Sequence, residues 1–458
     1  MHFKSAQTTA SIFHFQETVL KVTGFMPMDS NCSVVKKIAA SAFHCIGVSI
    51  LLGTLFSVTL YIATVFWGLF GPGAVASTIG NPLIEWLTYI PYCFTNLRGF
   101  IVCSLFWFHG KHWSHIKHRA DELIHATFAG PHKRAVLVRK WKNTAVVVGF
   151  ISILLVCMWE TNSWIHYQDQ DPQRYNLQFN DAVAPLPMKM TVWQYVITWT
   201  LWSTLPFCLS QQIFITVIML AWILNGCINK LNAAILEERA YFRGVVSSHS
   251  DQLWSDSKAL LVLAEKMHVR ITALRHRRLK MVTFCEEVTK TYGLILFAIY
   301  GLDVFTVCGF VAAIVADTEK FLTAYTLNFL SLALYGMYAT VFMVPMVLVY
   351  EKGSYTTLNL YRLMDATSPL IERPEGQQLR LAMKTFLGIS KDQILIFHGA
   401  ELLHITRNLI AATITFLFSC VVIMHELLLH SKAAAACNHQ NAQNTLTVVA
   451  ANVTTICH

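Results

Sequence analysis

The stretch ITRNLIAATITFLFSCVVIMHEL, Ile405 to Leu427, decides the fold class. Between Arg407 and Glu426 it holds eighteen residues with no Asp, Glu, Lys or Arg. Crossing roughly 30 Å of hydrocarbon takes about 20 mostly apolar residues in a helix, so this run reads as a membrane span. Its end, HELLLH at His425–His430, resembles at first sight the zinc-protease signature H-E-x-x-H. That signature needs its histidines at i and i+4, on one face of a helix. Here they stand at i and i+5, which turns the second imidazole some 140° off the first at 3.6 residues per turn. Two imidazoles so placed do not share a metal, and no metal or cofactor is expected.

Working outward, the 458 residues are 55% apolar and only 13% charged. A soluble protein of this size would not carry so much apolar surface, which points to a multi-span membrane protein. Seven spans are predicted: Ile46–Phe70, Leu87–Phe108, Thr144–Trp159, Tyr195–Leu224, Leu294–Ala316, Leu322–Tyr350 and Leu409–Leu429. The third is the shortest, and the second is weak by hydropathy because it contains Arg98. Residues 1–37 are mostly polar and show no signal-peptide core. The twelve cysteines form no CxxC pair, which argues against zinc ribbons and redox motifs.

The 35 Lys and Arg residues are unevenly divided between these spans. Alternate segments, on one side, hold thirty of them, the segments on the other side hold four, and Arg98 lies within a span. Basic residues near span ends stay cytoplasmic, so the amino terminus is placed inside and the carboxy terminus outside. The fold class is therefore an all-α membrane protein with seven transmembrane helices. The net charge of +9 is a topology signal, and nucleic acid drops out as a partner. A G-protein-coupled receptor has the opposite orientation, and neither a DRY-like triplet nor an NPxxY is present. The division is a cytoplasmic segment 1–40, a seven-span unit 41–430 and an outside tail 431–458. Asn452-Val453-Thr454 in that tail is the glycosylation sequon that faces outside, whereas Asn31-Cys32-Ser33 faces the cytoplasm. Cys437 and Cys457 share the oxidising side, as a disulfide or as two free thiols.

The inside segments at about 225–293 and 351–407 read as helices rather than floppy loops. Ile228, Leu231 and Ile235, then Leu260, Leu263, Met267, Ile271 and Leu274, recur at helical spacing. Asp256 before SKALLVLAEK is placed as a helix cap. Spans four and five are expected to continue as helices below the membrane. Thr357–Met364 reads as helix, PLIERPEG breaks it, and Gln377–Leu387 resumes. This pattern suits a packed cytoplasmic bundle able to hold subunits together.

The carboxy-terminal third resembles the insect chemoreceptor superfamily, specifically the gustatory receptors. Their final signature runs approximately I-N-R-S-L, an apolar stretch, T-Y, five mostly apolar residues and Q-F. Ile405-Thr406-Arg407-Asn408-Leu409 takes the place of I-N-R-S-L, Ser419-Cys420 that of T-Y, and Glu426-Leu427 that of Q-F. RHRRLKMVTFCEEVTKTYGLILFAIY, from Arg275 to Tyr300, resembles the segment leading into the family's fifth span. T-Y and Q-F are both altered here, and about 30 residues follow the last span where family members usually stop.

The resemblance implies a ligand-gated cation channel in the plasma membrane of chemosensory neurons, opened by a tastant such as a sugar, a bitter compound or carbon dioxide. It implies a homo- or heterotetramer with related subunits, each lending a pore helix at about 409–429, without a G protein. Membrane lipids, permeant cations and a small-molecule ligand are its other expected partners. On this alignment Glu426 meets the pore, where four carboxylates would attract cations. The alternative is a glutamate that simply reaches water at the end of its span. Val421, Val422 and Met424 then become a hydrophobic gate, and Ser419 lines the path below it.

Arg98 is the second oddity, roughly 15 Å deep at 1.5 Å per residue and in need of a partner. Asp303, mid-span in the fifth helix, is the natural one, whether the pair is structural or binds a polar ligand. Aromatic residues crowd the outer halves of the spans, where Trp and Tyr also form interfacial belts. The deeper Trp199, Trp202 and Tyr300, with the polar Asn328, suit a pocket with apolar walls and a few polar groups. The rival reading is a secondary transporter, opposed by the odd span number and the absence of an inverted repeat. A membrane enzyme is opposed because His398, Glu401 and His404, read as lying on a basic cytoplasmic helix, look like ordinary surface.

Overall fold

The computed structural model describes residues 12–26, 34–70, 82–169, 200–248, 254–316, 322–427 and 429–430. Helices account for nearly all of it. In chain order they are α1 (His14–Val22), α2 (Val34–Phe70), α3 (Pro82–His109), α4 (Trp113–Thr127), α5 (Pro131–Asp169) and α6 (Leu205–Ser248). There follow α7 (Ser257–Ala316), α8 (Leu322–Ala339), α9 (Val344–Ala366), the short α10 (Ser368–Ile371), α11 (Gln377–Asp392) and α12 (Arg407–Leu427). Six of the described segments are long and apolar enough to cross a membrane, on α2, α5, α6, α7, α8–α9 and α12. α3 forms where the second span was expected and carries Arg98 within it.

The third span was expected to be the shortest, at Thr144–Trp159. Instead α5 is 39 residues long, because the basic stretch from Pro131 is as helical as the apolar run it precedes. The sixth span was expected to be one helix over Leu322–Tyr350. It is broken at Thr340, between α8 and a 3-10 turn at Val341–Met343. Pro345 explains the break, since its ring would clash with a carbonyl one turn back in a continuous helix, whereas the first turn of a new helix accepts it.

Spans four and five do continue below the apolar zone, as α6 of 44 residues and α7 of 60. Asp256 caps α7, its Oδ1 accepting from the backbone N–H of Lys258 at 3.0 Å and of Ala259 at 3.3 Å. All eight residues of the predicted apolar stripes on α6 and α7 are buried. α11 packs on both α7 and α9 and closes this bundle.

The amino-terminal segment is less polar in the fold than in the sequence. Ile12, Phe13 and Leu20 have no exposed surface, and Gln16 donates to the backbone of Ala145 on α5 at 2.9 Å. Glu17 is buried as well, accepting from the Trp113 indole and the Lys117 ammonium on α4, each at 2.8 Å.

One element departs from the expected all-helical pattern. His398, Glu401 and His404 do not lie on a helix. His398–Gly399 (β1) pairs antiparallel with Leu403–His404 (β2), and the turn holds Ala400 and Glu401 at φ of 51° and 62°. Such left-handed angles end helix propagation and close a hairpin whose loop is the three residues Ala400, Glu401 and Leu402. The hairpin rests against α7 at Gly293, where a β-carbon would stand 2.9 Å from the His398 carbonyl oxygen.

Candidate functional site

Arg98 projects from α3 into the middle of the bundle with no exposed surface, and so does Asp303 from α7. Arg98 Nε lies 2.7 Å from Asp303 Oδ1, the pairing expected from the sequence. A buried charge is tolerated only when paired and hydrogen-bonded, and α6 supplies the rest of the shell. Arg98 Nη1 donates to Ser210 Oγ at 2.7 Å, and with its amide oxygen turned inward Gln211 accepts from Nη1 at 2.9 Å and from Nη2 at 3.3 Å. The faces of Phe207 and Tyr338 cover the guanidinium, their centroids 5.2 and 5.8 Å from its carbon. Tyr335 OH shares a 2.6 Å hydrogen bond with Thr95 Oγ1, which ties α8 to α3.

This shell is not closed. Asp303 Oδ2 is buried without a hydrogen-bond partner in the chain, and so, about 160° round α3 from Arg98, are both polar atoms of the Asn96 side chain. Such atoms cost stability unless water or a ligand meets them. The core is therefore left with an unmet acceptor at Asp303 Oδ2.

Ser210, Gln211, Tyr335 and Tyr338 were not singled out in the sequence, although consecutive polar residues inside an apolar run at Ser210-Gln211-Gln212 were a usable signal. Two expected members lie elsewhere. The Trp202 indole packs on Gly53 and Phe56 of α2. The Tyr300 hydroxyl is hydrogen-bonded to Thr413 Oγ1, which joins α7 to α12. Trp199 and Asn452 lie outside the described residues, as do Cys437 and Cys457, and the side chain of Asn328 is likewise not described.

α12 carries the remaining expected residues. At about 100° per residue, Thr413, Leu417, Cys420, Met424 and Leu427 fall on one face. These five are buried or half-buried against the chain itself, and Cys420 Sγ lies 3.7 Å from Cys308 Sγ on α7. Ser419, Val422 and Glu426 fall on the opposite face, and all three are exposed. Val421 is also exposed but sits to the side. The expected trio Val421, Val422 and Met424 thus points three ways, with Met424 turned toward its own subunit. Among the described residues no cluster of three or more His, Cys, Asp or Glu side chains is placed to hold a metal.

The fold and this placement define a multi-span helical membrane protein with a buried polar core and one uncovered apolar helix. Residues 18–425 match the family model of the 7tm chemosensory receptors, and the chain belongs to that family, within the insect chemoreceptor superfamily. Its fold is similar to that of the olfactory receptor OR5 of the insect Machilis hrabei in complex with eugenol. That likeness has a TM-score of 0.60 at 12% identity, covering 91% of this chain and 97% of that one. A second structure of the same receptor gives 0.56 at 10% identity, covering 91% and 100%. No curated protein sequence matches the chain.

Proposed function

We propose that the chain is a gustatory-type chemoreceptor acting as a ligand-gated, non-selective cation channel in the plasma membrane of a chemosensory neuron. Four copies, identical or mixed with related subunits, surround one pore, with amino termini inside and carboxy termini outside. The observation that carries this reading is α12: it is as apolar as the other spans, yet only 6% of its apolar window is buried within the subunit. Lipid or other copies must cover it, and a ring of copies leaves the Ser419, Val422 and Glu426 face turned inward.

The ligand site is the Arg98–Asp303 core, whose unpartnered Asp303 Oδ2 meets a polar group of the tastant beside the Phe207 and Tyr338 rings that cover the guanidinium. Tyr300 and the Cys308–Cys420 contact lie on the route from α7, which bears Asp303, to the pore helix. Val422 closes the pore by excluding water, and four Glu426 carboxylates concentrate cations at the outer mouth.

The test is a ligand panel on cells expressing the protein, read as conductance. Current beyond any carrier's turnover is expected, and its absence with or without partner subunits sinks the channel reading in favour of a transporter. Glu426→Gln is expected to keep the current but shift its reversal potential in a calcium-rich bath toward lower calcium permeability. An unchanged potential would mean that Glu426 merely reaches water.

A further inference from the structure

The bundle contains a second buried guanidinium, far from the first. Arg278 belongs to the basic run Arg275–Lys280, on the part of α7 that precedes its apolar span. Its residue is only 1% exposed. Nη2 donates to the Gln393 carbonyl at 3.3 Å, while Nε and Nη1 have no hydrogen-bond partner in the chain. Among the described residues no carboxylate pairs with it. Desolvation pushes its pKa down to about 10, so at neutral pH the group is still charged and its burial is uncompensated.

A cavity of about 270 Å³ opens on this side chain. That is several times the roughly 30 Å³ that a water molecule occupies in the liquid. Its wall carries the guanidinium, the Lys391 ammonium and the Ser390 hydroxyl, with no Asp or Glu among the lining residues. The Ser354 and Thr357 hydroxyls, also in the wall, donate instead to the carbonyls of Tyr350 and Ser390. The Ser390 hydroxyl is itself buried and unpartnered. Gly353 leaves the approach open, because a β-carbon there would already stand 3.6 Å from Arg278 Nη1. Three helices meet at this spot: α7 gives Arg278, α9 gives Gly353 to Thr357, and α11 gives Ser390 and Lys391.

We propose that this cavity is a binding site for a phosphoryl group, held by Arg278 with Lys391 and the Ser390 hydroxyl. Guanidinium and ammonium groups donating to one small space, with no acceptor of their own charge, match the several oxygens and the charge of a phosphomonoester. The bearer is either a soluble polyphosphate or an inositol lipid headgroup. Occupancy joins the cytoplasmic ends of the helices that carry spans five and six, so it stabilises the bundle.

The test uses the purified full-length chain and needs no current, so it stands apart from the channel reading. Thermal unfolding is followed by tryptophan fluorescence against inorganic phosphate and inositol hexakisphosphate at constant ionic strength. A parallel arm uses nanodiscs of phosphatidylcholine with or without phosphatidylinositol bisphosphate. A ligand that binds only the folded state raises the midpoint saturably, and such a rise is expected with at least one probe. A rise with the soluble probes assigns the soluble bearer, and a rise confined to the lipid arm assigns the headgroup.

Arg278→Gln and Gly353→Leu are each expected to raise the half-saturating concentration at least tenfold. Lys280→Gln, a nearby exposed cation, should leave it within twofold. Gly353→Leu carries the test alone if Arg278→Gln does not fold. No saturable rise with any probe overturns the proposal, and so does a rise of equal size in both variants. It also fails if Arg278→Gln changes the subunit number while the phosphate response persists, because a neighbouring copy's carboxylate would then be the occupant.

Discussion

α6 and α12 are nearly equal in hydropathy, yet 89% of the apolar part of the first is buried inside the chain and 6% of that of the second. Hydropathy registers only that a segment avoids water. What replaces the water, the chain's own side chains or something outside it, depends on where the other helices stand. α6 is encircled by α3, α5, α7 and α9, whereas α12 touches its own subunit along one narrow face. A helix that is buried on all sides serves the fold, and one left bare serves an assembly or a membrane.

Several substitutions would break or sharpen this contrast. The largest effect is expected at the polar core that α6 helps enclose. Arg98→Met strands a buried carboxylate and is expected to cost about 3–5 kcal/mol, most of it recovered when Asp303→Asn is added. Thermal unfolding in detergent measures both, and a double variant no better than the single one would deny that the two groups act as a pair.

Next is the contrast itself. Phe214 on α6 has no exposed surface and Phe418 on α12 is 70% exposed. Phe214→Ala should cost about 3–5 kcal/mol. Phe418→Ala should stay within about 0.5 kcal/mol of the original subunit stability. Equal losses would show that α12 is as enclosed as α6.

The faces of α12 give a subtler comparison. On the proposed channel reading, Val422→Ser should raise resting leak current in expressing cells severalfold, since a ring of these methyls would govern wetting of the pore. Val421→Ser, about 100° away on the helix, should change it far less. An effect of the same size at both positions would erase the distinction between faces.

The smallest effect is expected at Asp256. Its replacement by alanine removes the cap of α7 and should cost about 1 kcal/mol, visible in the same thermal assay.

These expectations also mark where sequence reading reaches its limit. The apolar stripes of α6 and α7, the Asp256 cap and the Arg98–Asp303 contact were all legible, because each rests on local spacing or on a charge with few places to go. The break at Thr340 was not, since the run stays apolar through it and only Pro345 signals it. The hairpin at His398–His404 was missed because its left-handed residues are Ala400 and Glu401, neither of which announces such a turn. Trp202 and Tyr300 were grouped by depth, but depth does not say toward which neighbour a side chain points. Met424 was grouped with Val421 and Val422 by proximity in sequence, although helical spacing already put it about 160° round from Val422.

The hairpin's contact with Gly293 bears on how this chain tolerates change. The carbonyl oxygen of His398 occupies the space a side chain would need, so the register between α7 and the segment leading into α12 is set by an absent atom. Deletion-style mutagenesis, which removes atoms and watches for loss, has nothing to remove at position 293. The restriction shows only when an atom is added, and there a single methyl group is already too much.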